Sequence, residues 1–210
     1  MARGPRRSKD AVSAESPPAR KATVTWLECA RPPRRVPPLP INLHATLLRT
    51  RKIPLHFYRY LYWQIGRHWH WVHRLRLSDS ELAALVHAPG VEIRVLSLDG
   101  APVGLFELNR DDPATTNLVY FGLMQEARGL GLGKWFLGQA MMTAWNEPIE
   151  RMTVSTNTLD HPAALGLYQK LGFTPTGQSE AMILPLSDAE LLAAIKAGDA
   201  GAEPPPSKNA

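Results

Sequence analysis

Cysteine is almost missing from this 210-residue chain, with Cys29 the single example. One thiol excludes an intramolecular disulfide and any cysteine-rich zinc site; at the end of an apolar stretch it reads as a small hydrophobe rather than a nucleophile. Long apolar runs are also missing, so no segment approaches the length of a membrane span. The N-terminus carries Arg6-Arg7, but Ser8-Lys9-Asp10 follows with no apolar run of the kind a secretory leader needs. The expected location is therefore the cytoplasm. Acidic residues are scarce at one end. Residues 1–52 hold only Asp10, Glu15 and Glu28 against twelve of the 24 lysines and arginines, a net of +9, which leaves −4 for the rest. A basic arm can meet phosphates or an acidic partner, yet a proline-interrupted basic tail is more often simply solvated. Nucleic acid is thus not the expected partner, and a membrane is not either. Residues 1–22 and 198–210, the latter with Pro204-Pro205-Pro206, read as disordered, and 23–197 as one folded domain.

Hydrophobic periodicity orders that domain. Thr23 to Glu28 alternates as a first strand, and Pro32-Pro33 with Pro37-Pro38-Leu39-Pro40 then enforces an extended linker. Phe57, Tyr58, Tyr60, Leu61, Tyr62, Trp63, Ile65, Trp69 and Trp71 crowd the next helical region beyond the needs of one helix stripe. Ser78 followed by Glu81 predicts a capping box on a helix running to His87. Val91–Leu98 and Val103–Leu108 flank Asp99-Gly100 as a β-hairpin, and Leu118–Met124 supplies the next strand. A helix over Lys134–Trp145, a strand over Met152–Thr156 and a short helix over His161–Phe173 come after it. Asp160 is the expected N-cap of that short helix, Pro162 lies in its first turn and Gly172 is its C′ residue. Thr174–Leu186 gives one or two closing strands, and Ser187-Asp188-Ala189-Glu190 caps a last helix. Antiparallel strands followed by helical crossovers predict an α/β fold with a mixed sheet flanked by helices.

The most informative stretch is Arg128-Gly129-Leu130-Gly131-Leu132-Gly133-Lys134, which joins the Leu118 strand to the Lys134 helix. Alternate glycines let the backbone curl with its N–H groups facing one point, and the helix adds the positive end of its dipole there. That makes a phosphate seat. A P-loop is excluded, because Arg128 stands where its first glycine belongs and Trp135 where Ser or Thr must follow the lysine. The dinucleotide fingerprint is excluded by Lys134, three residues after Gly131. The pattern that remains is Arg-x-x-Gly-x-Gly.

With that loop the chain resembles the GNAT superfamily of acetyl-CoA-dependent N-acetyltransferases, whose pyrophosphate loop is [Gln/Arg]-x-x-Gly-x-[Gly/Ala] at such a turn. A second block, Ala164-x-x-Leu167-Tyr168-x-Lys170-Leu171-Gly172-Phe173, resembles that family's Asn-x-x-Ala-x-x-Leu-Tyr-x-Lys-x-Gly-Phe pattern in the right order and spacing. The resemblance covers about residues 23–180. It implies a centrally splayed sheet, acetyl-CoA as co-substrate, and transfer of the acetyl group to a primary amine, a small molecule rather than a protein. It also implies that the loop from Arg128 to Lys134, with backbone N–H groups near Leu123 and Met124, holds the co-substrate, and that Tyr168 is the general acid at the departing sulfur.

Departures narrow what carries over. The family's asparagine seven residues before the tyrosine is His161, a candidate contact to the co-substrate or a solvent-facing helix start. The Glu that many members carry before the glycine loop is Asn117, which cannot act as a base. Glu107 is the candidate base, set by alternation opposite Phe106 and Leu108, where an aromatic-lined cleft would raise its pKa; a solvated residue or an arginine's structural partner is the competing reading. His68, His70 and His73 lack a nearby Cys or carboxylate at ligand spacing, so no metal is expected. A non-catalytic acyl-CoA sensor, a protein N-acetyltransferase and a homodimeric assembly stay open.

Overall fold

The computed structural model describes residues 17–197. Seven strands form one sheet: β1 (Arg20–Cys29), β2 (Ala45–Thr50), β3 (Val91–Leu98), β4 (Ala101–Asn109), β5 (Thr115–Leu123), β6 (Arg151–Asn157) and β7 (Thr174–Ile183). Their spatial order is β2-β3-β4-β5-β6-β1-β7. Every pairing is antiparallel except β5 with β6. The Asp99-Gly100 turn has both residues at positive φ, 48° and 86°, as a two-residue hairpin requires.

Two layers of helix cover the sheet. On one face lie α1 (Leu55–Gly66), α2 (Asp79–Val86) and α5 (Asp188–Ala197); on the other lie α3 (Leu132–Ala144) and α4 (Ala164–Lys170). Helix α1 buries Tyr58, Leu61, Tyr62 and Ile65, the i, i+3, i+4, i+7 stripe of an amphipathic helix. Leu61 and Ile65 each contribute about 1.5–3 kcal/mol by leaving water. At Gly122 of β5 the Ile65 side chain of α1 fills the place that a Cβ would take. Along β4, Leu105 packs toward α1 while Phe106 and Leu108 pack toward α3. The capping box of α2 is formed as the sequence predicts, Ser78 accepting from the Glu81 N–H and Glu81 from the Ser78 N–H.

Several boundaries differ from expectation. Strand β1 starts at Arg20, because Arg20 to Ala22 continue the ladder with Ile183, Met182 and Ala181 of β7 and Ala22 is buried against Val72. The rest of the expected arm, residues 1–16, and the tail 198–210 lie outside the described residues. After the linker, Ala45–Thr50 forms β2 on β3, an edge strand that the sequence did not announce. Helix α4 begins only at Ala164 with no side-chain cap, because Asp160 turns back to serve the end of β6. A single strand, β7, closes the sheet.

Candidate active site

Parallel pairing between β5 and β6 runs only from Thr115–Arg151 to Leu118–Val154. Beyond Leu118 the strands part. A bulge at Val119 sits at that point, since Glu107 faces Tyr120 while Leu108 faces Leu118, and a bulge bends a strand and re-aims it. The opening is a cleft of about 960 Å³ lined from both faces of the sheet. Pair alternation decides which backbone groups face it. The Met124 N–H donates to the Val103 carbonyl at 2.8 Å, so Met124, Gly122 and Tyr120 bond to β4 while Phe121 and Leu123 turn their N–H groups toward the gap. Of the two predicted backbone contacts, Leu123 is therefore available and Met124 is already committed, its side chain buried beneath α1.

The glycine loop closes one end of this cleft. Gly129 and Gly131 sit at φ 77° and 76°, where a side chain would be strained. Gly131 is the N-cap of α3, and from Gly131 to Lys134 no acceptor among the described residues meets the backbone N–H groups. Four free donors at the positive end of a 13-residue helix suit a pyrophosphate. Gly133 faces Leu167 of α4. Lys134 is exposed at the rim, and Leu130, exposed as well, is not among the lining residues. The Arg128 side chain has a bracing task. Its Nε donates to the Leu123 carbonyl at 3.2 Å, its other arm reaches the Ile65 carbonyl at 3.4 Å, and its guanidinium lies 5.3 Å from the Trp69 ring centre. Burial holds its pKa below the usual arginine range.

Tyr168 enters the cleft from α4. Its ring packs edge-on to Phe121 and Phe173, and its hydroxyl makes no hydrogen bond among the described residues. Burial, with Asp160 adding to it, raises its pKa well above that of a free tyrosine, so the hydroxyl stays protonated and can donate. His161 lies at the mouth, where its Nδ1 accepts the Ala163 N–H at 3.1 Å and its ring meets Trp69 at 4.9 Å, edge to face. The accepting Nδ1 leaves the proton of a neutral imidazole on Nε2. Asp160 accepts from Thr156 Oγ1, from the Asn157 N–H and, through its other oxygen, from Trp71 Nε1 at 3.4 Å.

Glu107 lies on the α1 face, deep in the core and 1% exposed. The Tyr58 hydroxyl donates to one carboxylate oxygen and Arg74 to the other, each at 2.6 Å. Burial nevertheless raises its pKa, against the opposing pull of Arg74 and Tyr58. Glu107 itself is not among the residues lining the cleft. Between it and the cleft stands Tyr120, whose ring lies 5.4 Å from the Arg74 guanidinium and whose hydroxyl accepts from Tyr62 at 3.3 Å. Tyr62 belongs to the aromatic cluster already apparent in the sequence, whereas Tyr120, Arg74 and Asp160 are site residues that sequence reasoning missed. Tyr120 was concealed inside the strand pattern, and the other two depend on partners 46 and 89 residues away.

These residues fit acetyl-CoA as a bound co-substrate: free N–H groups at a helix start for a pyrophosphate, an unpaired strand edge for an amide arm, and a protonated tyrosine beyond it. Residues 54–173 match the model of the Acetyltransferase (GNAT) family. A protein described as 5-NmdU N-acetyltransferase, from Pseudomonas phage PaMx11, is 34% identical over 88 residues, covering 41% of this chain and 60% of its own length. A functionally unknown conserved protein from Staphylococcus epidermidis superposes with a TM-score of 0.56 at 13% identity, over 80% of this chain and 64% of that one. A GCN5-related N-acetyltransferase from Sphaerobacter thermophilus gives 0.53 at 15% identity, over 82% and 55%. The chain thus spans about 60% of the curated relative's length.

Proposed function

Because the chain belongs to the GNAT acetyltransferase family, we propose that it transfers the acetyl group of acetyl-CoA directly to a primary amine of a small molecule within a ternary complex. The observation that carries this reading is the parting of β5 from β6 beyond Leu118 and Val154, which leaves the Leu123 N–H unpaired above the glycine loop. Acetyl-CoA supplies an activated thioester. The chain supplies the rest. The N–H groups from Gly131 to Lys134 hold the pyrophosphate, and the Leu123 N–H stabilises negative charge on the carbonyl oxygen as the amine nitrogen bonds to the carbonyl carbon. As the carbon–sulfur bond breaks, the Tyr168 hydroxyl protonates the departing thiolate and recovers its proton from solvent. The proton lost by the amine moves toward Glu107, which water or Tyr120 would have to connect to the cleft.

The acceptor half of the cleft is walled by Tyr62, Trp69, Trp71 and Tyr120. Among the described residues Asp160 is the one carboxylate in the lining, and three residues already occupy it. A polycation would find no unspent acid there, whereas a compact amine on a flat ring finds rings to stack on. The phage relative's 5-NmdU therefore belongs in the first acceptor panel, beside arylmethylamines, polyamines and peptides. Free-thiol release from acetyl-CoA across that panel tests the reading. Turnover with a ring-borne amine supports it; tight acetyl-CoA binding with no release for any amine would replace it with an acyl-CoA sensor.

A further inference from the structure

A second concavity of about 770 Å³ opens next to the first and shares Lys134 and Lys170 with it. Arg31, Arg34 and Arg35 of the linker between β1 and β2 complete a lining of five cations and, among the described residues, no carboxylate. None of the five is in a salt bridge among the described residues. Elsewhere the described arginines are mostly paired: Arg49, Arg59, Arg74, Arg76, Arg94 and Arg110 each meet an acid. A group of like charges facing one hollow is held there only against mutual repulsion, which an anion would relieve.

Residues C-terminal to the arginines fix the linker in place. Val36 seats on α3 at Gly138, where a Cβ would come within 2.5 Å of Val36 Cγ1. Leu39 packs into the core on the α3 side, and Pro40 touches Gly131 of the phosphate loop, 3.5 Å from where a Cβ would stand. The prolines keep the intervening chain extended. The three arginines are thereby placed beside the N-terminus of α3 rather than left on a free loop.

We propose that this basic hollow binds the 3′-phosphate of the same acetyl-CoA whose pyrophosphate the glycine loop holds. The inference rests on the proposed co-substrate reading. The chemistry matches in two respects. Coenzyme A carries a phosphate monoester on the ribose adjoining its pyrophosphate, so a seat for the one must lie a single sugar away from the seat for the other. The hollow is that near neighbour, joined to the loop by Lys134. Arginine forks give a dianionic monoester paired, charge-assisted hydrogen bonds, which two lysines alone would not.

The test compares acetyl-CoA with its 3′-dephospho form by calorimetric titration at low salt, for the full chain and for a triple variant Arg31→Gln, Arg34→Gln, Arg35→Gln. The substitutions are at exposed positions, so the fold is expected to survive, and thermal melting checks it. The wild type should prefer the phosphorylated form by about tenfold or more, the preference shrinking as salt is added. The triple variant should lose most of that preference while binding the dephospho form as the wild type does. Equal affinities in the wild type, or a preference that survives the triple substitution, would overturn the inference with the co-substrate reading intact. Failure of both forms to bind would overturn the co-substrate reading and this inference with it. A short single-stranded oligonucleotide that binds through the same arginines without competing with acetyl-CoA would assign the hollow to a polymeric phosphate instead.

Discussion

Leu118 and Val154 are the last pair to face each other across the β5–β6 ladder, although β5 continues for five more residues. The backbone groups released there make the cleft usable, and the glycine loop must keep its curl to complete it. Gly131→Val places a branched side chain at φ 76°, at a cost of about 1–2 kcal/mol in stability. Acetyl-CoA affinity should fall by about tenfold or more, because the free N–H groups turn away from one another. Titration calorimetry beside thermal melting separates the two effects.

Gly166 is the matching control. It lies inside α4, at ordinary φ, with no described residue within 4 Å of where its Cβ would be. Gly166→Ala should therefore stabilise the protein by about 0.5–1 kcal/mol through helix propensity and a less flexible unfolded chain. Acetyl-CoA affinity should not change. A fall in melting temperature would show that α4 is packed differently.

Tyr168→Phe isolates one hydroxyl. Since no described residue bonds to it, stability should change by no more than about 0.5 kcal/mol, while kcat falls about a hundredfold or more if the hydroxyl protonates the thiolate. Burial raises the Tyr168 pKa, so its titration should leave no limb on the wild-type profile below the ordinary tyrosine range. Steady-state kinetics from neutral to mildly alkaline pH, with the KM for acetyl-CoA unchanged in the variant, is the check.

Glu107 gives a prediction with a sign. Its folded carboxyl holds a proton more tightly than an unfolded one. The wild type should therefore lose stability relative to Glu107→Gln as pH rises from below the ordinary carboxylate pKa through the raised folded one. Gln still offers an acceptor to Tyr58, whereas Glu107→Ala strands the Tyr58 hydroxyl and the Arg74 guanidinium. The Ala variant should cost about 2–4 kcal/mol. Melting temperatures of the three proteins across that pH range test both statements. If Glu107 takes the amine proton, kcat/KM in the wild type rises with pH along a limb that Glu107→Gln removes.

How much of this was legible in the sequence depended on whether the signal was local. The glycine loop, the Asp99-Gly100 hairpin, the Ser78 capping box and Gly172 at φ 103° are each dictated by residues within a few positions, and each is found. Strand β2 was not legible. Its ATLLRT pattern sets two leucines side by side, and an edge strand paired only with β3 needs no clean alternation. Asp160 looked like the N-cap of α4, but Thr156, Asn157 and Trp71 compete for its oxygens and win. Glu107 was placed on the correct face by alternation, while its partners Tyr58 and Arg74, 49 and 33 residues away, could not be read from any local pattern. The Leu123 and Met124 pair illustrates the same limit, since only the register with β4 says which N–H is free.

Acetyl-CoA lying in the opening between β5 and β6, with its pyrophosphate on the glycine loop, is the central claim. Titrating acetyl-CoA into ¹⁵N-labelled protein and following the backbone amides by NMR tests it most directly. Saturable one-to-one shifts at Leu123, Gly131, Leu132 and Gly133, with Met124 moving little because its N–H stays on Val103, are the expected result. Saturation with those four amides unmoved, or no binding at all, would contradict it.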